Sequence, residues 1–579
     1  MSELLNVYAD MALQARSVAG LARDAALQAS AAVEVEATSL VEYRSAGNLL
    51  IIGSADVALS AAQRLADCGL QRTVVITDDI TAEALPALSE EAAKAKDDPT
   101  VVIVYGRVDK LSGHLGHYSA TLATPKGEAL NLSELAGTQY PYFDLVLDLK
   151  PEPLLGYELP PFGYYPAGRD AARLERALAE IPEMTGEFEK PKFFNYNPDI
   201  CAHGDSGLTG CTRCLEACPA GAISSAGNLI EVNPFLCQGG GSCTAACPTG
   251  AIIYAYPGPK DQIARIRAML EAYRAAGGTH PILLFHDVGR GTERLRESAA
   301  DLPERVIPVL VEEIGAVGMD IWLSALAYGA SEVVLLDTEE VPESTRRELD
   351  AQLSYAGALL RAMGYEPSRL HRLAVDAGRA ADWLVARPQI EPVAPASFET
   401  FNEKRGTLRL ALDHLYEQSG AAVEVADLPQ GAPFGQVLAA ADKCTLCMSC
   451  VQVCPTKALR DGGDSPQLKF VEDLCVQCGL CETACPEDAI SLDARYLFDW
   501  ERRREARVLH EEEPYCCPSC GKPFATVSVI ERMTERLKGH AMFQNESALR
   551  RLRLCGDCRV IDAMREELGE PRKPKVYGL

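Results

Sequence analysis

Residues 444–455 read CTLCMSCVQVCP and residues 475–486 read CVQCGLCETACP. Both are C-x2-C-x2-C-x3-C-P, so Cys444, Cys447, Cys450 and Cys454 are matched by Cys475, Cys478, Cys481 and Cys485. The rest of the cysteine inventory is equally uneven. Of 21 cysteines, seven fall in 201–247, eight in 444–485, five in 516–558, and Cys68 stands alone. Neighbours two or three residues apart do not make a disulfide framework with each other, and a reducing compartment would not keep one. Clustered thiols in that setting mean metal.

The doubled run resembles the bacterial two-cluster ferredoxin family. The resemblance implies that three thiolates on one tight loop cap three irons of a cubane, while the fourth, turned away by its proline, serves the other cubane. On that pattern Cys444, Cys447, Cys450 and Cys485 hold one [4Fe–4S] cluster, and Cys475, Cys478, Cys481 and Cys454 hold a second. The competing reading is a pair of zinc sites. Zinc takes two CxxC pairs on separate knuckles, so eight cysteines in a doubled run argue for iron–sulfur.

An earlier module is an altered copy. The continuations CPAGAI (218–223), CPTGAI (247–252), CPTKAL (454–459) and CPEDAI (485–490) mark an internal duplication of a unit that is itself duplicated. In CAHGDSGLTGCTRCLEACP (201–219), Cys211, Cys214 and Cys218 keep the spacing, but Leu208 replaces the first cysteine. Cys201 can substitute if the glycine-rich loop between folds back. That site then has Cys201, Cys211, Cys214 and Cys247. In CQGGGSCTAACP (237–248), Gly240 replaces the second cysteine, leaving Cys237 and Cys243 with Cys218 crossing over. Three thiolates fit a [3Fe–4S] cluster, a [4Fe–4S] cluster with one non-cysteine ligand, or no stable cluster. Ser242 is out of phase with the gap, and His203 and Asp205 read as solvated loop residues on the other site's side.

The tail carries Cys517-x2-Cys520 and Cys555-x2-Cys558. Two such knuckles resemble zinc ribbons, with rubredoxin-like iron as the rival reading. The helical pattern of SVIERMTERLKGHAMF between them departs from an all-β ribbon. Cys516 is a spare, and Cys68 reads as a packed core thiol.

Around the cysteines the chain reads as a multidomain α+β and α/β protein. Its expected divisions are 1–45 (helical), 46–190 (α/β with a linker), 191–257 (first cysteine module), 258–385 (α/β), 386–432 (linker and helix), 433–492 (second module) and 493–579 (zinc tail). Apolar runs such as NLLIIGS (48–54), TVVITDD (73–79), PILLFHD (281–287) and SEVVLLD (331–337) are buried strands between helical stretches. The stretches RVIPVLVEEIGAVGMDIWLSALAYGASEVVLLD (305–337) and AGALLRAMGYEPSRLHRL (356–373) resemble the delta subunit of methyl-viologen-reducing hydrogenase. That family places cysteines after its first and third strands. Here those places read FHDVGRG and LLDTEEVPE, and 258–385 contains no cysteine, so the fold is expected without the cluster, as a docking scaffold. Gly289 and Gly291 give GxG without a third glycine, so nicotinamide or flavin binding is not supported. Arg502–Arg504 reads as a solvated helix face.

A net charge of −26 argues against nucleic-acid and anionic-membrane binding. No run of 18 apolar residues and no leader pattern occurs, so a cytoplasmic protein is expected. The whole arrangement, from NPDIC (197–201) to CPSCGKPF (517–524), resembles a bacterial iron–sulfur protein encoded beside formate dehydrogenases. That likeness implies an electron carrier for such a system, or an accessory to its maturation. No nucleophile–base pair accompanies the clusters. An enzyme using an open iron beside Gly240 as a Lewis acid is the least supported alternative.

Overall fold

The computed structural model describes residues 7–8, 13, 15–77, 88–123, 129–374, 380–463 and 465–568. The end of the strand expected at 73–79 lies outside them, as do parts of the expected 1–45 segment and of the tail.

Two parallel sheets carry the α/β character. The first has the spatial order Val101–Tyr105, Gln71–Ile76, Asn48–Gly53, Leu145–Asp148, Tyr164–Pro166. Asn48–Gly53 is buried at all positions, which is why it reads as an unbroken apolar run rather than an alternation. Strand order reverses at its carboxyl end, where such sheets seat dinucleotides. There a Cβ on Gly53 would lie 3.0 Å from the Cβ of Leu149, so the chain itself packs against that glycine. An antiparallel meander, Val108–Ser112, Ser119–Ala123 and Ala129–Asn131, sits between the third and fourth parallel strands in sequence.

The second sheet has the order Val306–Val311, Ile282–Asp287, Glu332–Asp337, Leu370–Ala374, again parallel. Helices Pro259–Ala275, Met319–Ala327 and Glu343–Ala362 cover it, and Trp322 is fully buried in its core. The N-terminal helix Val18–Ala31, capped by the Ser17 hydroxyl, puts Ala22, Ala26 and Leu27 into this second core. It therefore passes over the first sheet in sequence. The expected helical reading of 1–45 is corrected beyond it: Leu40–Ser45 is a strand, antiparallel to Gly186–Pro191. Its strict alternation of exposed and buried residues is the strand period. Residues 386–400 contain no helix or strand, but they are strapped down. Val393 and Ala396 are buried, and the Ala396 N–H donates to Ala327 O at 2.8 Å.

Each cysteine module hangs on short antiparallel pairs. Phe194–Tyr196 with Ile252–Tyr254 closes the first. Ile490–Leu497 between Val425–Asp427 and Gly435–Ala439 closes the second. Helix Lys404–Ser419 runs between the modules and the second α/β core. The tail adds Arg507–Glu511 to a sheet of the second module, then forms the hairpin Pro514–Cys516/Pro523–Thr526 and helices Val527–Leu537, Glu546–Leu552 and Gly556–Glu567.

Arg502–Arg504 is not simply a solvated face. Arg503 is 3% exposed and pairs with Asp413 and Asp473 at 3.1 Å each. The carboxylates that bury it come from far away in sequence, so the run of arginines alone does not announce them.

Candidate metal centres

The backbone prepares the cysteine loops before any side chain is considered. In 444–450, Leu446 and Met448 have φ of 55° and 62°. In 475–481, Gln477 and Gly479 have 54° and 85°. In 237–243, Gly239 and Gly241 have 78° and 73°. The gapped loop thus keeps the turn of its complete relatives and lacks only the thiol. The duplication also shows after each CP pair. Gly221, Gly250, Lys457 and Asp488 all sit at φ between 48° and 77°.

These turns gather the thiols into four sets. Cys444, Cys447, Cys450 and Cys485 line one cavity, which we call the outer set. Cys454, Cys475, Cys478 and Cys481 line another, the inner set. Cys201, Cys211, Cys214 and Cys247 line a third, the looped set. Cys218, Cys237 and Cys243 lie within electrostatic reach of one another and make the gapped set. Cys201 reaches its place because 202–210 folds into the small hairpin Gly204–Asp205/Leu208–Thr209.

The donor chemistry fits iron–sulfur groups. Burial and then neighbouring thiols push Cys450 and Cys478 up to about 12 and raise Cys214, Cys481 and Cys243 as well. Thiols packed this closely do not ionise together unless a cationic group accompanies them. Polar groups also aim at the sulfurs. The N–H groups of Ala222 and Ala489 lie 3.3 Å from Cys218 Sγ and Cys485 Sγ, at equivalent places in the two modules. Gln477 Nε2 lies 3.3 Å from Cys475 Sγ.

His203 departs from its expected role. It is 3% exposed, with Nδ1 2.9 Å from Cys211 O and Nε2 2.7 Å from Ser225 Oγ. A carbonyl only accepts, so Nδ1 carries the proton and Nε2 accepts from the serine. The imidazole braces the folded-back loop rather than facing water. Asp205 stays half-exposed and accepts from Ser206. Ser242 is turned away from the gap and donates to Ala217 O at 2.6 Å.

A Cβ at Gly240 would meet Pro219 Cγ at 3.1 Å, Leu159 Cδ1 at 3.3 Å and Pro219 Cδ at 3.7 Å. The nearest atoms in the missing thiol's direction are all carbon. The same loop docks on the carboxyl edge of the second sheet. A side chain at Gly241 would run into the Ala316 backbone, Thr345 Oγ1 lies 3.5 Å from Ser242 Oγ, and Gln352 donates to Ala245 O at 3.1 Å. Nothing in the local sequence announces Leu159 or this docking, because each is a contact over long sequence distance.

Farther on, Cys517, Cys520, Cys555 and Cys558 bring their sulfurs within 4.8 Å of one another. Against the upward push of burial, the N–H groups of Cys555, Ser519 and Cys520 hold Cys517 below the usual thiol range. Cys558 is raised. Cys516 is exposed, and Cys68 is half-buried against the first core.

Comparison with known proteins agrees with this geometry. Residues 194–248 and 429–490 each match a family described as "4Fe-4S dicluster domain". The chain carries two 4Fe–4S dicluster domains. It also matches a component of the ion-translocating oxidoreductase complex of Methanosarcina acetivorans, with 41% identity over 54 residues. That stretch is 9% of this chain and 20% of the relative, so the chain spans about a fifth of that protein's length. Among the described residues no helix is long and apolar enough to cross a membrane.

Proposed function

We propose that the chain is a multi-site electron carrier with four iron–sulfur sites and one zinc site. The observation that carries this is the gathering of fifteen thiols into three sets of four and one of three. A [4Fe–4S] cluster bound by four such thiolates would take up and return one electron at a time. The outer, inner and looped sets would hold that group. The protein's own work is to supply the thiolates, exclude water by burial and aim N–H donors at the sulfurs, which favours the reduced form. The apolar surroundings of Gly240 favour a three-iron group at the gapped set, since Leu159 and Pro219 offer no fourth ligand. The tail thiols suit zinc in tetrahedral S4 coordination.

The reading of 258–385 as a hydrogenase-delta-like domain without its cluster is supported by its parallel sheet and by its use as the dock for the 237–243 loop. Cys447, the exposed thiol of the outer set, marks the side from which a redox partner is reached. A formate dehydrogenase system is the partner that the sequence likeness favours. An accessory role in assembling that enzyme is the second reading, favoured by the extent of cysteine-free α/β structure.

Metal analysis of anaerobically purified protein tests the site count. About 15 irons and about one zinc per chain are expected from the ligand sets. Four or eight irons would overturn the assignment of the first module. Capture of formate dehydrogenase subunits by the immobilised protein tests the partner, and their absence from the eluate under reducing conditions would remove that part of the proposal.

A further inference from the structure

Helix Lys404–Ser419 drives its first turn into the seam between the two modules. Arg405 is buried there, and its guanidinium reaches both sides. Nη1 donates to Pro248 O at 3.2 Å and to Pro433 O at 3.0 Å. Nη2 donates to Asp473 O at 3.3 Å and to Cys475 O at 3.0 Å. Pro248 follows Cys247 of the looped set, and Cys475 belongs to the inner set. One planar cation therefore ties the two sets together through their own backbones.

Other contacts place the same two sets side by side. Leu480, between Cys478 and Cys481, packs over Gly210, the neighbour of Cys211. A Cβ on Gly210 would lie 2.5 Å from Leu480 Cγ. Within each module the adjacency continues through one short helix: Arg213–Ala217 holds Cys214 of the looped set and ends at Cys218 of the gapped set, and Ser449–Gln452 holds Cys450 of the outer set and ends just before Cys454 of the inner set.

Among the described residues no carboxylate pairs directly with Arg405. All four acceptors of Arg405 are main-chain carbonyls, while the Asp473 carboxylate pairs with Arg409 and Arg503. A guanidinium keeps its charge at neutral pH, and carbonyl oxygens leave that charge facing both sets.

We infer that the four sets form one line, gapped, looped, inner, outer, and that Arg405 is the positioning residue of its central seam. This rests on the electron-carrier reading above. Reduction of either central site adds one negative charge, with no proton moved and no bond made or broken. The buried cation stabilises that added charge on both sides of the seam, and its four-way fork fixes how the sides face each other.

The test uses full-length wild type, R405K and R405M, purified anaerobically and reduced stepwise with dithionite under EPR. Iron content is measured on each. In R405M the reduction equilibrium of at least one site falls by about tenfold, which is about 59 mV for one electron. R405K keeps the charge and restores most of that shift. It cannot span four carbonyls, so the spin–spin splitting between the modules of the reduced protein changes in R405K. Full iron with wild-type potentials in R405M overturns the inference. Should R405M not fold, R405K decides: altered splitting supports the seam, and unchanged splitting with unchanged potentials overturns it. A wild type without iron, or silent on reduction, sinks the electron-carrier reading itself, which is a different result from an iron-replete wild type insensitive to Arg405.

Discussion

Placing a cysteine at Gly240 asks the gapped set to become a complete one. The backbone is ready for it. Gly239 and Gly241, not Gly240, take the left-handed positions, as Leu446 and Met448 do around Cys447. The obstacle is packing: a Cβ would sit 3.1 Å from Pro219 Cγ and 3.3 Å from Leu159 Cδ1, tighter than ordinary contact. Leu159 is only half-buried and can shift, so G240C is expected near the low end of overpacking costs, about 1 kcal/mol. Pairing it with L159A opens the direction the thiol must take. The expected result is one more iron per chain, from about 15 to about 16. The EPR signal of an oxidised three-iron cluster, expected in wild type, should disappear in G240C/L159A. A folded double variant with unchanged iron and unchanged signal would refute the argument that the missing thiol alone limits this set. A wild type already holding four irons there would refute it from the other side.

Cys201 stands far out of register, yet it lines the same cavity as Cys211, Cys214 and Cys247. C201S should therefore lower iron and perturb one EPR signal, while C68S, against the first core, leaves both unchanged. R503M leaves Asp413 and Asp473 short of a buried partner and should cost about 3–5 kcal/mol in chemical denaturation; a surface-like change below about 1 kcal/mol would contradict its burial. Burial, with Asp287, Glu312 and Glu340 nearby, pushes Glu313 up to about 8. Its native pKa is raised, so between the unfolded value near 4.5 and about 8 the native state holds the extra proton, and stability falls as pH rises. The slope is at most about 1.4 kcal/mol per pH unit, and E313Q should flatten it in denaturation midpoints compared at about pH 6 and about pH 8.

What can be read from the sequence follows the range of the interactions involved. The cysteine sets are legible because each is built from one or two short loops, where spacing along the chain nearly determines position in space. Even the altered looped set follows from a cysteine before a glycine-rich stretch. The parallel strands are legible for the same reason, as a strand buried on both faces leaves an unbroken apolar run. The strand Leu40–Ser45 shows the period-two alternation but sits beside a helix, and its partner Gly186–Pro191 lies far along the chain. His203, Arg503 and Arg405 escape a reading of the sequence for one physical reason. Each is a polar side chain buried by partners distant in sequence: Ser225, Asp413 and Asp473, and the carbonyls of Pro248 and Cys475. Composition places such residues at the surface by default, and only the assembled fold supplies the partners that take them inside. Short-range pattern thus specifies which thiols meet within a module. Long-range polar contacts at Arg405 and the docked 237–243 loop specify how the modules meet each other and the α/β core. If electrons pass from one module to the other, the residues that govern the passage belong to that second class.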